Sequence, residues 1–121
     1  MQLSEAEWKV MNAIWAEAPS SARDVLEHLG DETTWAYTTV KTMLARLAEK
    51  GALSVRKRAN TSMYEPLISR EEARRSAVKG LLERAFGGSF APLVQFLVSD
   101  RDLSPADRKT LEKLIAESGD K

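Results

Sequence analysis

At Gly51 the hydrophobic period of this chain changes. Upstream, apolar residues recur every three or four positions in three separate runs; downstream, Leu53 and Val55 alternate with Ser54 and Arg56. The first spacing is that of a helix burying one face, the second that of a half-buried strand. In the first run Ser4 and Glu7 form a capping-box signature ahead of Trp8, Val10, Met11, Ile14 and Trp15, predicting a helix over residues 4–17 that ends before Pro19. In the second, Ser21 and Asp24 cap a short helix whose stripe is Ala22, Val25, Leu26 and Leu29, with Gly30 placed to stop it. A polar turn, Asp31 to Thr34, leads to the third stripe, Ala36, Val40, Met43, Leu44 and Leu47, which ends at Gly51. Beyond it, a turn around Arg58-Ala59-Asn60-Thr61 and the segment Met63-Tyr64-Glu65 before Pro66 complete a hairpin with a basic tip. A lone two-stranded hairpin is marginal in water, so it has to lean on the helices. Three helices followed by such a hairpin is the winged helix-turn-helix order.

The remainder reads as helical. Ser69 and Glu72 repeat the capping box, and Ala73, Ala77, Val78, Leu81, Leu82, Ala85 and Phe86 follow until Gly87-Gly88. From Phe90 to Val98 the chain is apolar nearly all round, more than one small domain can cover with its own surface, which calls for a second chain. Ser104-Pro105-Ala106-Asp107 opens a last helix with Leu111, Leu114 and Ile115 on its inner side. The expected fold is mainly α with a small β hairpin: a winged-helix DNA-binding domain over 1–68 and a helical dimerisation segment over 69–121. The residues expected to pair two copies are Leu81, Leu82, Phe86, Phe90, Leu93, Val94, Phe96, Leu97, Leu111, Leu114 and Ile115.

Charge separates the function classes. The 18 basic and 18 acidic residues cancel over the 121-residue chain, but they are not evenly spread. Residues 1–40 hold two basic and seven acidic side chains; 41–60 hold six basic (Lys41, Arg46, Lys50, Arg56, Lys57, Arg58) against Glu49 alone. A cationic cluster on one face, not the total, is what meets phosphates. With no cysteine and a single histidine, His28, the chain offers no disulfide, no thiol nucleophile and no zinc site built from cysteine, and the carboxylate pairs Glu5/Glu7 and Glu71/Glu72 read as helix-start residues, so neither an enzyme nor a metal or cofactor site is expected. The N-terminus lacks a basic stretch followed by an apolar run, and nothing approaches the roughly 18 apolar residues needed to span a bilayer, so the expected location is the cytoplasm, without membrane insertion.

On a helical wheel of the third helix, Thr38, Thr42, Ala45 and Glu49 lie opposite the apolar stripe, with Lys41 and Arg46 on the flanks. Small hydroxyls and methyls bordered by cations suit the floor of a major groove, where threonine and alanine methyls can touch thymine while cations reach phosphates. Arg56-Lys57-Arg58 with Asn60 would then sit over the adjacent backbone or minor groove. Trp8 and Trp15 belong to the apolar pattern of the first helix and read as packing, and His28 as a surface or boundary residue. A winged-helix protein-interaction module without DNA binding is the alternative; it would replace the basic wing and threonine face by an apolar or acidic patch.

The runs Leu3-Ser4-x-Ala6-Glu7-x-x-Val10-Met11-x-x-Ile14-Trp15 and Trp35-Ala36-Tyr37-Thr38-Thr39-Val40-Lys41-Thr42-Met43-Leu44-x-Arg46-Leu47-x-x-Lys50-Gly51-x-Leu53, with Tyr64-x-Pro66 after the hairpin, resemble the penicillinase repressor family. The resemblance covers most of the chain and implies a homodimeric transcriptional repressor on a palindromic double-stranded DNA operator, in an antibiotic-resistance setting. It carries groove reading to Thr38, Thr39, Lys41, Thr42 and Arg46, and phosphate contacts to Tyr37 and to Arg56, Lys57, Arg58, Asn60 and Thr61. β-Lactam-responsive members are inactivated by cleavage at an Asn-Phe bond in the dimerisation segment, downstream of a membrane sensor protease; the matching pair here is Gln95-Phe96, a departure at the first position. Copper-responsive relatives carry a cysteine-rich motif that this chain lacks.

Overall fold

The computed structural model describes residues 1–99 and 103–119, with side chains inside the last helix described as far as Lys113. The chain divides into two compact units, Met1–Ala77 and Val78–Lys121.

In the first unit, α1 (Glu5–Ala16), α2 (Ala22–Leu29) and α3 (Tyr37–Lys50) precede an antiparallel hairpin of β1 (Leu53–Arg58) and β2 (Thr61–Pro66). The caps are those expected from the local sequence. Ser4 Oγ accepts from the Glu7 amide while the Glu7 carboxylate accepts from the Ser4 amide, and Ser21 and Asp24 repeat the exchange at α2. Gly51, at φ 87, ends α3 in the left-handed region that glycine enters without a Cβ penalty. Where a polar turn was expected after α2, residues Gly30–Glu32 form one 3-10 turn. Ala36 is not part of the inward stripe of α3: it is the exposed N-cap, and it supplies no side-chain hydrogen bond.

One core joins the elements. Val10, Met11 and Ile14 of α1, Val25 and Leu29 of α2, Val40, Leu44 and Leu47 of α3, and Leu53 of β1 are essentially inaccessible to water. Each such side chain contributes about 1.5–3 kcal/mol on burial. The alternation read in β1 does not carry through to burial, because Leu53 lies at the root of the hairpin and Val55, two residues out, is exposed where the wing projects past the helices. The turn is tighter than expected: Arg58 and Thr61 are a strand pair, leaving a two-residue loop, Ala59-Asn60, with Ala59 at φ 58.

The wing root is fastened to the helices by backbone. Ser20, just before α2, exchanges two hydrogen bonds with Tyr64 of β2, at 3.1 and 2.8 Å. Trp15 Nε1 donates to the Ile68 carbonyl at 2.9 Å, tying α1 to the exit of the hairpin. Trp8 and Trp15 are half-buried and tilted against each other, ring centroids 5.8 Å apart, and Trp15 packs on the edge of the core.

α4 (Arg70–Ala85) starts at the Ser69–Glu72 capping box, and its first turns belong to the first unit through buried Ala73. In the second unit, Gly87 and Gly88 take φ 61 and 81 after α4, and the Gly88 amide donates back to the Leu82 carbonyl at 2.7 Å. α5 (Phe90–Ser99) and α6 (Pro105–Gly119) follow. Phe86 and Phe96 meet at 6.3 Å between ring centroids. α5 nevertheless has no buried residue, and Phe90 and Phe96 are 62% and 58% exposed.

Candidate nucleic-acid interface

The core sets which face of α3 is free. Burial of Val40, Met43, Leu44 and Leu47 leaves Thr38, Thr39, Lys41, Thr42, Ala45, Arg46 and Glu49 exposed, with Tyr37 at the start of the helix. Thr42 Oγ1 donates to the Thr38 carbonyl at 3.0 Å. That bond engages the hydroxyl proton of Thr42, so its methyl and oxygen lone pairs are what it offers to a ligand.

The six cations of residues 41–60 do not form one patch. Lys50 turns away from the α3 face: its ammonium contacts Glu7 Oε1 at 2.7 Å and the Gln2 carbonyl at 3.0 Å. Arg56 is paired with Glu65 across the hairpin at 2.8 Å. Hence two of the charges counted from sequence are matched by carboxylates, one on α1 and one on β2. Lys41, Arg46, Lys57 and Arg58 are exposed and have no ion pair among the described residues.

Two surfaces flank the wing, and they differ in charge. One side, lined by Pro19, Met63, Arg56, Arg58 and Glu65, contains the Arg56–Glu65 pair. The other is a cleft between the wing and the helices. Ser21, the N-cap of α2, Arg23 of α2, Tyr37 and Lys41 of α3, and Lys57, Asn60, Thr61 and Ser62 of the hairpin line it, with Tyr64 beneath; among the described residues no carboxylate does. Lys57 borders both surfaces. Burial pushes the Tyr64 phenol above its ordinary range, with a smaller contribution from Tyr37, which keeps it neutral.

Of the residues singled out from sequence, Tyr37, Lys41, Lys57, Asn60 and Thr61 come together around this cleft, while Thr38, Thr39, Thr42 and Arg46 stand on the exposed face of α3. Arg56 and Arg58 lie on the wing's opposite surface. Sequence reasoning missed Arg23, whose guanidinium lies 5.2 Å from the centroid of the Tyr37 ring. A signal for it was present: a cation in the first turn of a helix opposes the helix dipole and calls for another partner.

In the second unit, Leu81, Phe90, Gln95 and Phe96 are exposed, and Leu82, Phe86, Leu93, Val94, Leu97 and Leu111 are half-buried. The side chains of Leu114 and Ile115 lie outside the described residues. Gln95-Phe96 falls in the middle of α5. No helix among the described residues is long and apolar enough to cross a membrane.

The family pattern described as penicillinase repressor matches residues 3–117. The methicillin resistance regulatory protein MecI of Staphylococcus aureus (strain N315) is 28% identical over 114 residues, covering 94% of this chain and 93% of that protein. The penicillinase repressor of Bacillus licheniformis is 29% identical over 116 residues, covering 96% and 91% respectively. Among solved structures, the DNA-binding domain of the repressor BlaI superposes with a TM-score of 0.53 at 37% identity, over 59% of this chain and 87% of that one. The monomeric form of Bacillus licheniformis BlaI in complex with the blaP half-operator gives 0.52 at 36% identity, over 60% and 88%.

Proposed function

Because this chain belongs to the penicillinase repressor family, we propose that it is a DNA-binding transcriptional repressor that reads a pseudo-palindromic operator as a homodimer. The observation that carries this reading is the exposed Thr38–Thr42–Arg46 face of α3 beside a cationic cleft that no carboxylate among the described residues lines. In it, α3 enters the major groove, Thr38, Thr39, Thr42 and Arg46 meet base edges, and Lys41 and the wing residues Lys57, Arg58, Asn60 and Thr61 meet the sugar-phosphate backbone. Arg56 adds less, since Glu65 already neutralises it. A relative at 36% identity, the monomeric form of Bacillus licheniformis BlaI, is solved in complex with a half-operator, which supports DNA as the ligand.

One recognition helix spans only a few base pairs, so specificity requires a second copy, placed about 34–36 Å away or a multiple of that along the duplex. The exposed phenylalanines of α5 favour the second unit as the pairing surface. Pairing through that unit also supplies a means of release: cleavage within α5, at Gln95-Phe96, would separate the two half-site readers without touching either α3. This mode of release calls for an upstream protease, for which the family resemblance points to a membrane sensor protease.

Selection of bound duplexes from a random pool, followed by footprinting on the recovered sequence, tests the reading. Two symmetric protected half-sites are the expected result. Recovery of no preferred sequence would overturn it in favour of an interaction module.

A further inference from the structure

The cleft between wing and helices holds a cation cluster organised by one aromatic ring. Besides Arg23 at 5.2 Å, the Lys41 ammonium lies 5.6 Å from the centroid of Tyr37. Both distances are within the reach at which a ring face attracts a cation. Lys57 borders the same cleft from the wing. Arg23, Lys41 and Lys57 have no carboxylate partner among the described residues, and the acidic group of the first turn of α2, Asp24, is turned to the Ser21 amide. Three like charges drawn to one concave, carboxylate-free surface repel one another until an anion is placed among them. Arg23 is also on the wrong end of α2 for the helix dipole, so helix stability does not explain it.

We infer that Arg23 and Lys41, held by the ring of Tyr37, form a clamp for a DNA backbone phosphate in the cleft between α3 and the wing. The inference rests on the DNA-binding reading above and deepens it in two ways. It adds Arg23 of α2 to the contact surface, and it makes Tyr37 a positioning residue that acts through its ring and the two cations, not through its hydroxyl. The cleft's shape gives the clamp a role in register: a phosphate seated there fixes how far along the groove α3 sits, which is how backbone contacts serve base reading.

A short mixed-sequence duplex is the suitable probe, because non-specific binding is almost wholly phosphate contact and shows it in the slope of log affinity against log salt. The full chain is compared with Arg23→Gln, Tyr37→Phe and Tyr37→Leu over a salt series, with circular dichroism melts to check the fold. Arg23→Gln is expected to lower the slope by about one. Tyr37→Phe is expected to keep the parent slope, whereas Tyr37→Leu, which removes the ring, lowers it at least as far as Arg23→Gln. An unchanged slope for Arg23→Gln overturns the clamp and leaves the repressor reading intact. Equal losses for Tyr37→Phe and Tyr37→Leu assign the contact to the hydroxyl and overturn the positioning role. A parent chain with no salt-dependent duplex binding overturns both the clamp and the reading beneath it.

Discussion

Glu7 Oε1 accepts hydrogen bonds from the Ser4 amide at 2.8 Å and from the Lys50 ammonium at 2.7 Å, so one nearly buried carboxylate both caps α1 and holds the C-terminal end of α3. Burial alone would raise the Glu7 pKa; the hydrogen bond and charge of Lys50 and the bonds from Ser4 outweigh it and hold the carboxyl below its ordinary range. Removing the ammonium while leaving the carboxylate strands a buried charge. Lys50→Met is therefore expected to lower stability by about 1–3 kcal/mol, read from chemical denaturation. Because folding depresses the Glu7 pKa, its contribution is complete above the ordinary glutamate range and is lost as pH falls through the depressed folded value. Glu7→Gln should flatten that acid-side loss, and a variant whose stability falls with acidification as steeply as the parent's would contradict the linkage.

The exposed face of α3 gives a second expectation. With the Thr42 hydroxyl proton turned to the Thr38 carbonyl, the methyl is the group that meets a base. Thr42→Val, which keeps a methyl there, should bind the selected operator more tightly than Thr42→Ser, by about 1 kcal/mol for the apolar contact. Arg46→Ala should cost about 1–3 kcal/mol if it reads a base, with no change in melting temperature, since its side chain lies outside the core. Equal operator affinities for the valine and serine variants would remove the methyl contact from the account.

How far the sequence disclosed these features follows from their range along the chain. The caps at Ser4, Ser21 and Ser69 and the left-handed Gly51 depend on residues within three or four positions, so spacing alone located them. The apolar stripes marked the core because periodicity reports which side of a helix is buried. Neither signal reaches a pair such as Glu7 and Lys50, 43 residues apart, and so Lys50 was counted with a surface patch that it leaves. The bridge from Ser20 to Tyr64 is one residue long and has no pattern to display. The same limit hid the approach of Arg23 to Tyr37, which needs α2 and α3 already packed. Val55 shows the converse: its alternation was correct for a strand, but burial depends on what lies over the strand.

The two sides of the wing should differ in the salt response. Arg56 is matched by Glu65 at 2.8 Å, whereas Lys57, which borders both surfaces, has no ion pair among the described residues. Lys57→Ala is expected to lower the slope of log affinity against log salt by about one, and Arg56→Ala by clearly less. The exposed Arg56–Glu65 pair should matter little to stability, roughly 0–1 kcal/mol. Identical slopes for the two variants would mean that the wing meets DNA equally on both surfaces.

α5 carries Phe90 and Phe96 largely exposed and has no buried residue, and it follows the left-handed Gly87-Gly88 break. If two copies pair through this surface, truncation after Gln95 removes Phe96 and everything beyond it while leaving the first unit, Met1–Ala77, whole. The truncated chain should then sediment as a monomer with the melting behaviour of its winged helix preserved. Its affinity for a single half-site should stay near that of the full chain. Its affinity for the complete operator should fall, by a factor of about a thousand, because linkage of the two half-site readers is what multiplies their weak individual binding. Proteolysis inside a helix requires local opening, so full-length protein bound to operator should be cut more slowly than free protein in a time course with an added protease. A truncated chain that stays dimeric and holds the operator as before would place the pairing surface outside the removed residues, and with it the means of release.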